Sequence, residues 1–344
     1  MANERKKITM IDIAREANVS QSTVSRVINQ QPGINEAKYR KVMEAMKRLG
    51  YAPPQSAGSP RKTICLVICP LPEQKDILEM SFNIQMQEGV RAVLNAHDAD
   101  FMLLVKPYGT ETLDLPPEKM RQISGFILLL GSLDSPKLRK ELEHAGIPYV
   151  IALGGTLARF PAACDIICPD EFNAAHQICD YLEANGRKRI GFLLSRIFAH
   201  RLDGFRLEVM KRNSLELRES DIVLLETTDN KDHIEAAYHY LQRGDLPDAL
   251  IVSFHGAAVP IRSIFSFNGI RVPEDVTIVS YAHTKEQDQI PCILQRAYLL
   301  GTKSARRILE KLEEPDDVPD TILIPSELIN TKRKQEACHE IRHS

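Results

Sequence analysis

Several features are missing from this sequence, and each absence removes a class of function. No apolar run approaches the roughly 20 residues that a membrane helix needs; the longest strand-like run, 126–130, is far too short. Arg5, Lys6 and Lys7 have no apolar stretch behind them, so no secretory signal is expected and the chain reads as cytoplasmic. The seven cysteines form no CxxC pair, which favours free thiols in a reducing compartment over a metal site or a disulfide framework. Cys338, His339 and His343 lie together in a charged terminus that reads as frayed rather than metal-binding. There is no GxGxxG after a strand, no GxxxxGK[ST], no GxSxG and no metal-spaced His/Glu pair. Gly154-Gly155 is a loop signal only. No catalytic residue, metal ligand or cofactor is therefore expected, and the chain is not read as an enzyme.

What is present is divided unevenly. The net charge of −2 conceals a basic end: residues 1–62 carry 12 Lys/Arg against 5 Asp/Glu, out of 44 and 46 in the whole chain. A basic head on an acidic body points to a polyanionic partner at one end. The length of 344 residues accommodates such a head and a large core domain.

The basic head contains ITMIDIAREANVSQSTVSRVIN, residues 8–29, which parses as two short helices about a tight turn. Thr9 with Asp12 three residues on suits a helix N-terminus. Ile11, Ile13, Ala14 and Ala17 recur at helical spacing. Asn18-Val19-Ser20 forms the turn: Asn tolerates left-handed backbone, Val19 plugs the angle, and Ser20 caps the next helix. That helix buries Val24, Val27 and Ile28 and presents Gln21, Ser22, Thr23, Ser25, Arg26 and Asn29. Hydroxyls, amides and one arginine without a carboxylate suit phosphate oxygens and base edges. A third helix is expected from a cap at Asn35 to Leu49, stopping at Gly50, with Val42, Met46 and Leu49 inward and Lys38, Tyr39, Arg40, Lys41, Lys47 and Arg48 outward.

Spacing and residues together resemble the helix-turn-helix of the lactose/galactose-repressor family. Ala14, Ala17, Val19, Ser20, Thr23-Val24-Ser25-Arg26-Val27 and Asn29 stand where that family's signature has them. The resemblance implies base reading by Gln21, Ser22 and Arg26. Phosphate contacts would come from Thr9, Ser20, Thr23, Ser25, Asn29, Asn35, Lys38 and Tyr51. It also implies a homodimer on a palindromic double-stranded operator. Residues 52–63 read as a linker rich in proline. Here the chain departs from its relatives: no leucine lies between Tyr51 and Ile64, and prolines oppose the hinge helix that would wedge into the minor groove; the alternative is a short helix from Pro54 through Gln55, Ser56 and Ala57 that still packs against DNA.

From Thr63 onward strands and helices alternate. Strands are expected over 64–69, 101–105, 123–130, 147–151, 166–168, 189–194, 222–225, 249–254, 276–281 and 321–324. Helices are expected over 77–96, 136–145, 172–184, 202–212, 231–242, 257–267 and 301–312. Repeated βα units predict doubly wound parallel sheets, enough for two lobes. This matches the periplasmic-binding-protein-like body of the resembled family, echoed in 186–192, 201–205, 271–276 and 325–328. The fold expected is an all-α helix-turn-helix head on an α/β body. Its parts are a DNA-binding domain over 1–52, a linker over 53–62, an effector-binding and dimerising body over 63–330, and a polar tail over 331–344 that lacks a coiled-coil heptad.

The resemblance also places an interlobe cleft that closes on a small-molecule effector, often a sugar. Arg201 fits the family's cleft arginine and Asp170 its strand-end aspartate, which can line the cleft or cap the next helix. Where relatives have acceptors, this chain has Phe254 and Ala282, beside His255 and His283. Two expectations stand: a ligand more apolar or anionic than a sugar, held by Arg201, Phe254, His255 and His283, or a cleft that binds little and serves dimerisation. A solute-binding transport protein shares such a body, and the DNA-binding head argues against it.

Overall fold

The computed structural model describes residues 9–28, 36–49, 51, 61–69, 81–107, 110–129, 136–152, 164–284 and 289–330. The chain divides into two units between Arg61 and Lys62.

The first unit holds α1 (Met10–Ala17), α2 (Gln21–Ile28) and α3 (Glu36–Leu49). Each helix buries one stripe, and together Ile13, Ala14, Ala17, Val24, Val27, Val42, Ala45 and Met46 form the core, with Val19, Leu49 and Tyr51 packed against it. Ile11 does not join them. It is 54 % exposed, because its spacing from Ile13 and Ala14 leaves it just outside the apolar stripe of so short a helix. The expected linker over 53–62, apart from Arg61 and Lys62, lies outside the described residues, as do Asn29, Asn35 and the tail from 331.

The second unit contains two sheets. Lobe 1 is built on β1 (Thr63–Ile68), β2 (Asp100–Val105), β3 (Gly125–Leu129), β4 (Tyr149–Ala152), β5 (Asp165–Pro169) and β11 (Thr321–Ile324), in the order β11-β5-β4-β3-β1-β2. Its helices are α4 (Ser81–Ala96), the short α5 (Pro117–Met120), α6 (Pro136–Ala145) and α11 (Ala297–Glu313). Lobe 2 is built on β6 (Arg189–Ser195), β7 (Glu216–Leu225), β8 (Ala249–Val252), β9 (Thr277–Ala282), β10 (Cys292–Leu294) and β12 (Glu327–Ile329), in the order β12-β10-β9-β8-β6-β7. It carries α7 (Glu171–Ala184), α8 (Arg201–Lys211), α9 (Asn230–Arg243) and α10 (His255–Phe267).

Among the described strands the two sheets are parallel as expected, apart from the short edge pairing of β10 with β12, which is antiparallel. These short strands, and the start of β7 at Glu216, were not foreseen, and α11 begins at Ala297 rather than 301. Each sheet is covered on both faces, as parallel sheets require. Alternate residues of β1 divide accordingly: Ile64, Leu66 and Ile68 face the α4 and α11 side, while Cys65, Val67 and Cys69 face the other. Helices α4 and α11 cross closely at two glycines. A Cβ on Gly89 would lie 2.2 Å from the Tyr298 carbonyl oxygen, and one on Gly301 2.2 Å from that of Met86. Ile84, an apolar residue of α4, is exposed.

The chain passes between the lobes three times: from β5 to α7, from β10 to α11, and from β11 to β12. Strand ends of both lobes are thereby brought to one cleft. The six described cysteines are buried and free. Burial pushes the Cys65 and Cys179 thiols up to about 12, which makes them inert packing groups as expected.

Candidate DNA interface and ligand cleft

In the head, local chemistry fixes the angle between α1 and α2. The Thr9 hydroxyl accepts from the Asp12 N–H at 3.4 Å while the Asp12 carboxylate accepts from the Thr9 N–H at 2.9 Å, a reciprocal cap. Asn18 ends α1 in the left-handed region, φ 50°, and the Val19 N–H reaches back to the Ala14 carbonyl at 3.0 Å. Ser20 then caps α2, its Oγ accepting from the Thr23 N–H at 3.2 Å. The hydroxyls of Ser20, Ser22 and Thr23 form a cluster, with Ser20 Oγ 2.8 Å from each of the other two.

The resulting α2 surface exposes Gln21, Ser22 and Arg26, with Thr23 and Ser25 half-buried beside them. Ser22 is thus already hydrogen-bonded, with acceptor capacity to spare. Lys38 is exposed on α3, whereas Tyr51 is half-buried against the head core. Glu16 of α1 pairs with Arg48 of α3 at 3.5 Å.

In the body, the cleft centres on Arg201. Its side chain is 2 % exposed. Nε donates to Glu171 Oε1 at 3.3 Å and Nη1 to the Ser253 carbonyl at 2.8 Å. The guanidinium lies over the Tyr281 ring at 3.6 Å and the Phe198 ring at 4.2 Å, two cation–π contacts in a dry setting. Burial pushes the Glu171 carboxyl up, but the Arg201 charge and hydrogen bond, with His200 beside it, outweigh burial and hold it below the usual carboxylate range. His200 Nε2 stands 3.9 Å from the same oxygen. Burial, reinforced by the Glu171 charge, raises the Tyr281 phenol well above its ordinary range. Glu171 Oε2, Tyr281 Oη and His283 Nδ1 are buried and make no hydrogen bond among the described residues.

Of the two roles expected for Asp170, the structure shows the helix cap. It caps α7, accepting from the Asn173 N–H at 2.9 Å. Phe254 packs with the apolar cluster of α9 and α10, its ring 4.9 Å from that of His233. His255 Nδ1 is 2.9 Å from Ser280 Oγ, and Ala282 is buried. Of the expected set, Arg201 and His283 come together, while Phe254 is half-buried against the cluster of α9 and α10. Glu171, Tyr281 and Phe198 were missed. The available signal was a carboxylate at the first turn of a helix directly after a strand end, needing a buried cation as partner.

A second buried cluster joins Ser253 Oγ to His233 Nε2 at 3.2 Å, with Ser195 Oγ 3.5 Å from that nitrogen and His233 Nδ1 2.9 Å from the Asp229 carbonyl. All three side chains are buried, and the histidine is oriented by a backbone oxygen instead of a carboxylate. Burial lowers the His233 pKa. This is a packed hydrogen-bond network between β6, β8 and α9, lacking the access a nucleophile needs.

The comparisons bear on both units. Bacterial regulatory proteins of the lacI family match residues 9–54. Periplasmic binding proteins and sugar binding domain of LacI family match residues 62–332. Catabolite control protein A of Priestia megaterium is 26% identical over 331 residues, covering 92% of this chain and 96% of that protein. Among solved structures, a lac repressor dimer bound to operator and the anti-inducer ONPF superposes with a TM-score of 0.67 at 21% identity, covering 94% of this chain and 98% of that one. The complex of the transcriptional regulator CelR with cellobiose superposes with a TM-score of 0.66 at 24% identity and the same coverage. At these identities the superpositions establish the fold. The family matches go further, for between them they account for the capped helix pair and for both lobes, and the chain is therefore a member of the LacI family, a DNA-binding transcriptional regulator with a periplasmic-binding-protein-like ligand-binding domain.

Proposed function

We propose that the protein is a sequence-specific repressor that acts in the cytoplasm, at the nucleoid, as a homodimer on a palindromic operator. It does this without catalysis. In this reading 1–52 is the DNA-binding domain, 53–62 a linker, 63–330 the dimerising and effector-binding body, and 331–344 a polar tail. Gln21, Ser22 and Arg26 read base edges in the major groove. Thr9, Ser20, Thr23, Ser25, Asn29, Asn35, Lys38 and Tyr51 bind the sugar-phosphate backbone.

The observation that carries the reading is the α2 surface: a capped recognition-type helix exposing Gln21, Ser22 and Arg26, with no acidic side chain along its length. The test is selection of bound sequences from fragmented genomic DNA with wild type and Arg26→Ala. A palindromic motif enriched by wild type and lost in the variant supports it, since one good bidentate contact carries about 1–3 kcal/mol of discrimination. Equal enrichment by both proteins, or affinity insensitive to salt, overturns it.

For the cleft, the proposed effector is an uncharged, hydroxyl-rich molecule such as a sugar. Arg201 is already matched by Glu171, so it offers an anionic ligand no unpaired charge. The buried oxygens of Glu171 and Tyr281 and the His283 nitrogen instead lack partners that hydroxyls can supply. The same Arg201–Glu171 pairing favours the second reading, a dimerisation scaffold with an empty cleft. Calorimetric titration with mono- and disaccharides separates the two: saturable heat that disappears in Tyr281→Phe supports the effector, and no heat with any sugar supports the scaffold.

A further inference from the structure

The two lobes meet across the cleft at His283, whose ring nitrogen the effector reading also uses, through Phe82 and Gln85, which that reading leaves aside. Phe82 and Gln85 lie one turn apart on α4 of lobe 1, and His283 follows β9 of lobe 2. The Phe82 and His283 rings form an edge-to-face pair, centroids 4.8 Å apart at 62°. Gln85 Nε2 donates to the His283 carbonyl oxygen at 3.1 Å. His283 is thus held on both its ring and its backbone by the opposite lobe, and its Nδ1 is sealed from solvent without a hydrogen-bond partner among the described residues.

We propose that Phe82, Gln85 and His283 form a latch that holds the lobes together, and that a proton on His283 releases it. Among the described residues an imidazolium has no unpaired anion to meet there. The charged and titratable groups around it among those residues are few. Arg201 on α8 is a like charge that acts on His283. Glu171 at the start of α7 is committed to Arg201. His200 lies beside Glu171, and both belong to lobe 2, so a proton there acts within that lobe rather than across the latch. Tyr281 keeps its proton through this range. On α4 the contacting residues are uncharged, and Glu88, one turn along, is exposed.

Burial and the Arg201 charge hold the closed-state pKa of His283 at about 4, whereas an open, solvated imidazole titrates near 6.5. The folded value is depressed, so the latch is fully effective above the open-state value and weakens as pH falls below it. At pH 5.5 the difference predicts about a ten-fold smaller closing constant than at pH 7.5.

The chain contains no tryptophan, so Phe82→Trp places a single reporter indole against His283 in the full-length protein. The expected result is a red shift of emission between pH 7.5 and 5.0 at unchanged far-UV circular dichroism, absent when His283→Asn is added. No shift, or the same shift in both proteins, overturns the proposal. Should the tryptophan variant fold poorly, amide exchange over residues 81–86 replaces it. After correction for intrinsic rates, wild type should open about ten-fold more readily at pH 5.5 than at 7.5, with His283→Asn insensitive to pH. Equal behaviour of wild type and variant overturns the latch.

Discussion

Replacing Glu171 with Gln isolates the ion pair beneath the cleft. The substitution keeps volume and removes only the charge that balances Arg201. Arg201 is 2 % exposed and Glu171 14 % exposed as side chains, so the pair is largely dry. The guanidinium is also held by the Ser253 carbonyl at 2.8 Å and by aromatic faces at 3.6 and 4.2 Å. These contacts keep it in place after its partner is neutralised. A buried charge left without its partner costs about 3–5 kcal/mol, which lowers the urea midpoint of the body by about 1–2 M at ordinary slopes. Replacing both residues with Met removes both charges and leaves side chains that pack against Phe198 and Tyr281. That double variant should recover at least about 2 kcal/mol relative to the sum of the single substitutions.

The pH dependence supplies an independent arm. The folded pKa of Glu171 is lowered, so its contribution is complete above the unfolded value near 4.3 and is lost only as pH falls through the folded one. The gap between wild type and Glu171→Gln should therefore stay flat from pH 8 to 5.5 and shrink only in stronger acid. Urea transitions followed by far-UV circular dichroism at several pH values make the measurement. Single-variant losses under about 1 kcal/mol, or strict additivity in the double variant, would refute the view that this pair is buried and coupled.

Three further outcomes follow from other parts of the chain. Thr9→Ala removes the reciprocal cap with Asp12 and should cost the head about 1 kcal/mol, read as faster amide exchange in α1 with the body unchanged. Gly89→Ala or Gly301→Ala drives a methyl group into a carbonyl oxygen of the facing helix and should destabilise the body by about 1–3 kcal/mol or more; an unshifted melting temperature would mean that α4 and α11 do not cross this closely. The six described cysteines are buried, so a thiol reagent at pH 8 should modify at most one of the seven until denaturant is added, and rapid titration of several would contradict the packing of β1 and β5.

What could be read in advance depended on whether the cause was local. The helix-turn-helix was legible because its determinants act within a turn: Thr9 with Asp12, Asn18 at positive φ, Ser20 with Thr23. The alternation of strands and helices was legible because buried parallel strands are continuous apolar runs. Strands β10 and β12 were not, since three-residue segments carry no period and exist only through the neighbour each pairs with. Ile11 and Ile84 show the limit of periodicity, which places an apolar residue on a helix but cannot say how far the neighbouring element extends to cover it. Glu171 escaped notice for a different reason. Its partner lies 30 residues away, and nothing in the local sequence distinguishes a helix-start carboxylate in water from one beneath a cleft.

That position has a consequence for how the cleft is dissected. Glu171 is the first residue of α7, directly after the β5 strand end at which the chain crosses from lobe 1 to lobe 2. Its bond to Arg201 therefore fastens a crossover to the floor of lobe 2. The third crossover is fastened likewise, since Gln177 of α7 donates to the Ser326 carbonyl at 3.0 Å and accepts from the Leu328 N–H at 2.9 Å. With two of three crossings tied to α7, a change at Arg201 alters both the chemistry of the cleft and the seat of the hinge, and its effect on ligand binding cannot be assigned to a lost contact. Tyr281 lies on β9, away from the crossings and outside the contact of His283 with Phe82 and Gln85, and its phenol oxygen can be removed singly. In the proposed cleft it is the position at which recognition is separable from hinge geometry.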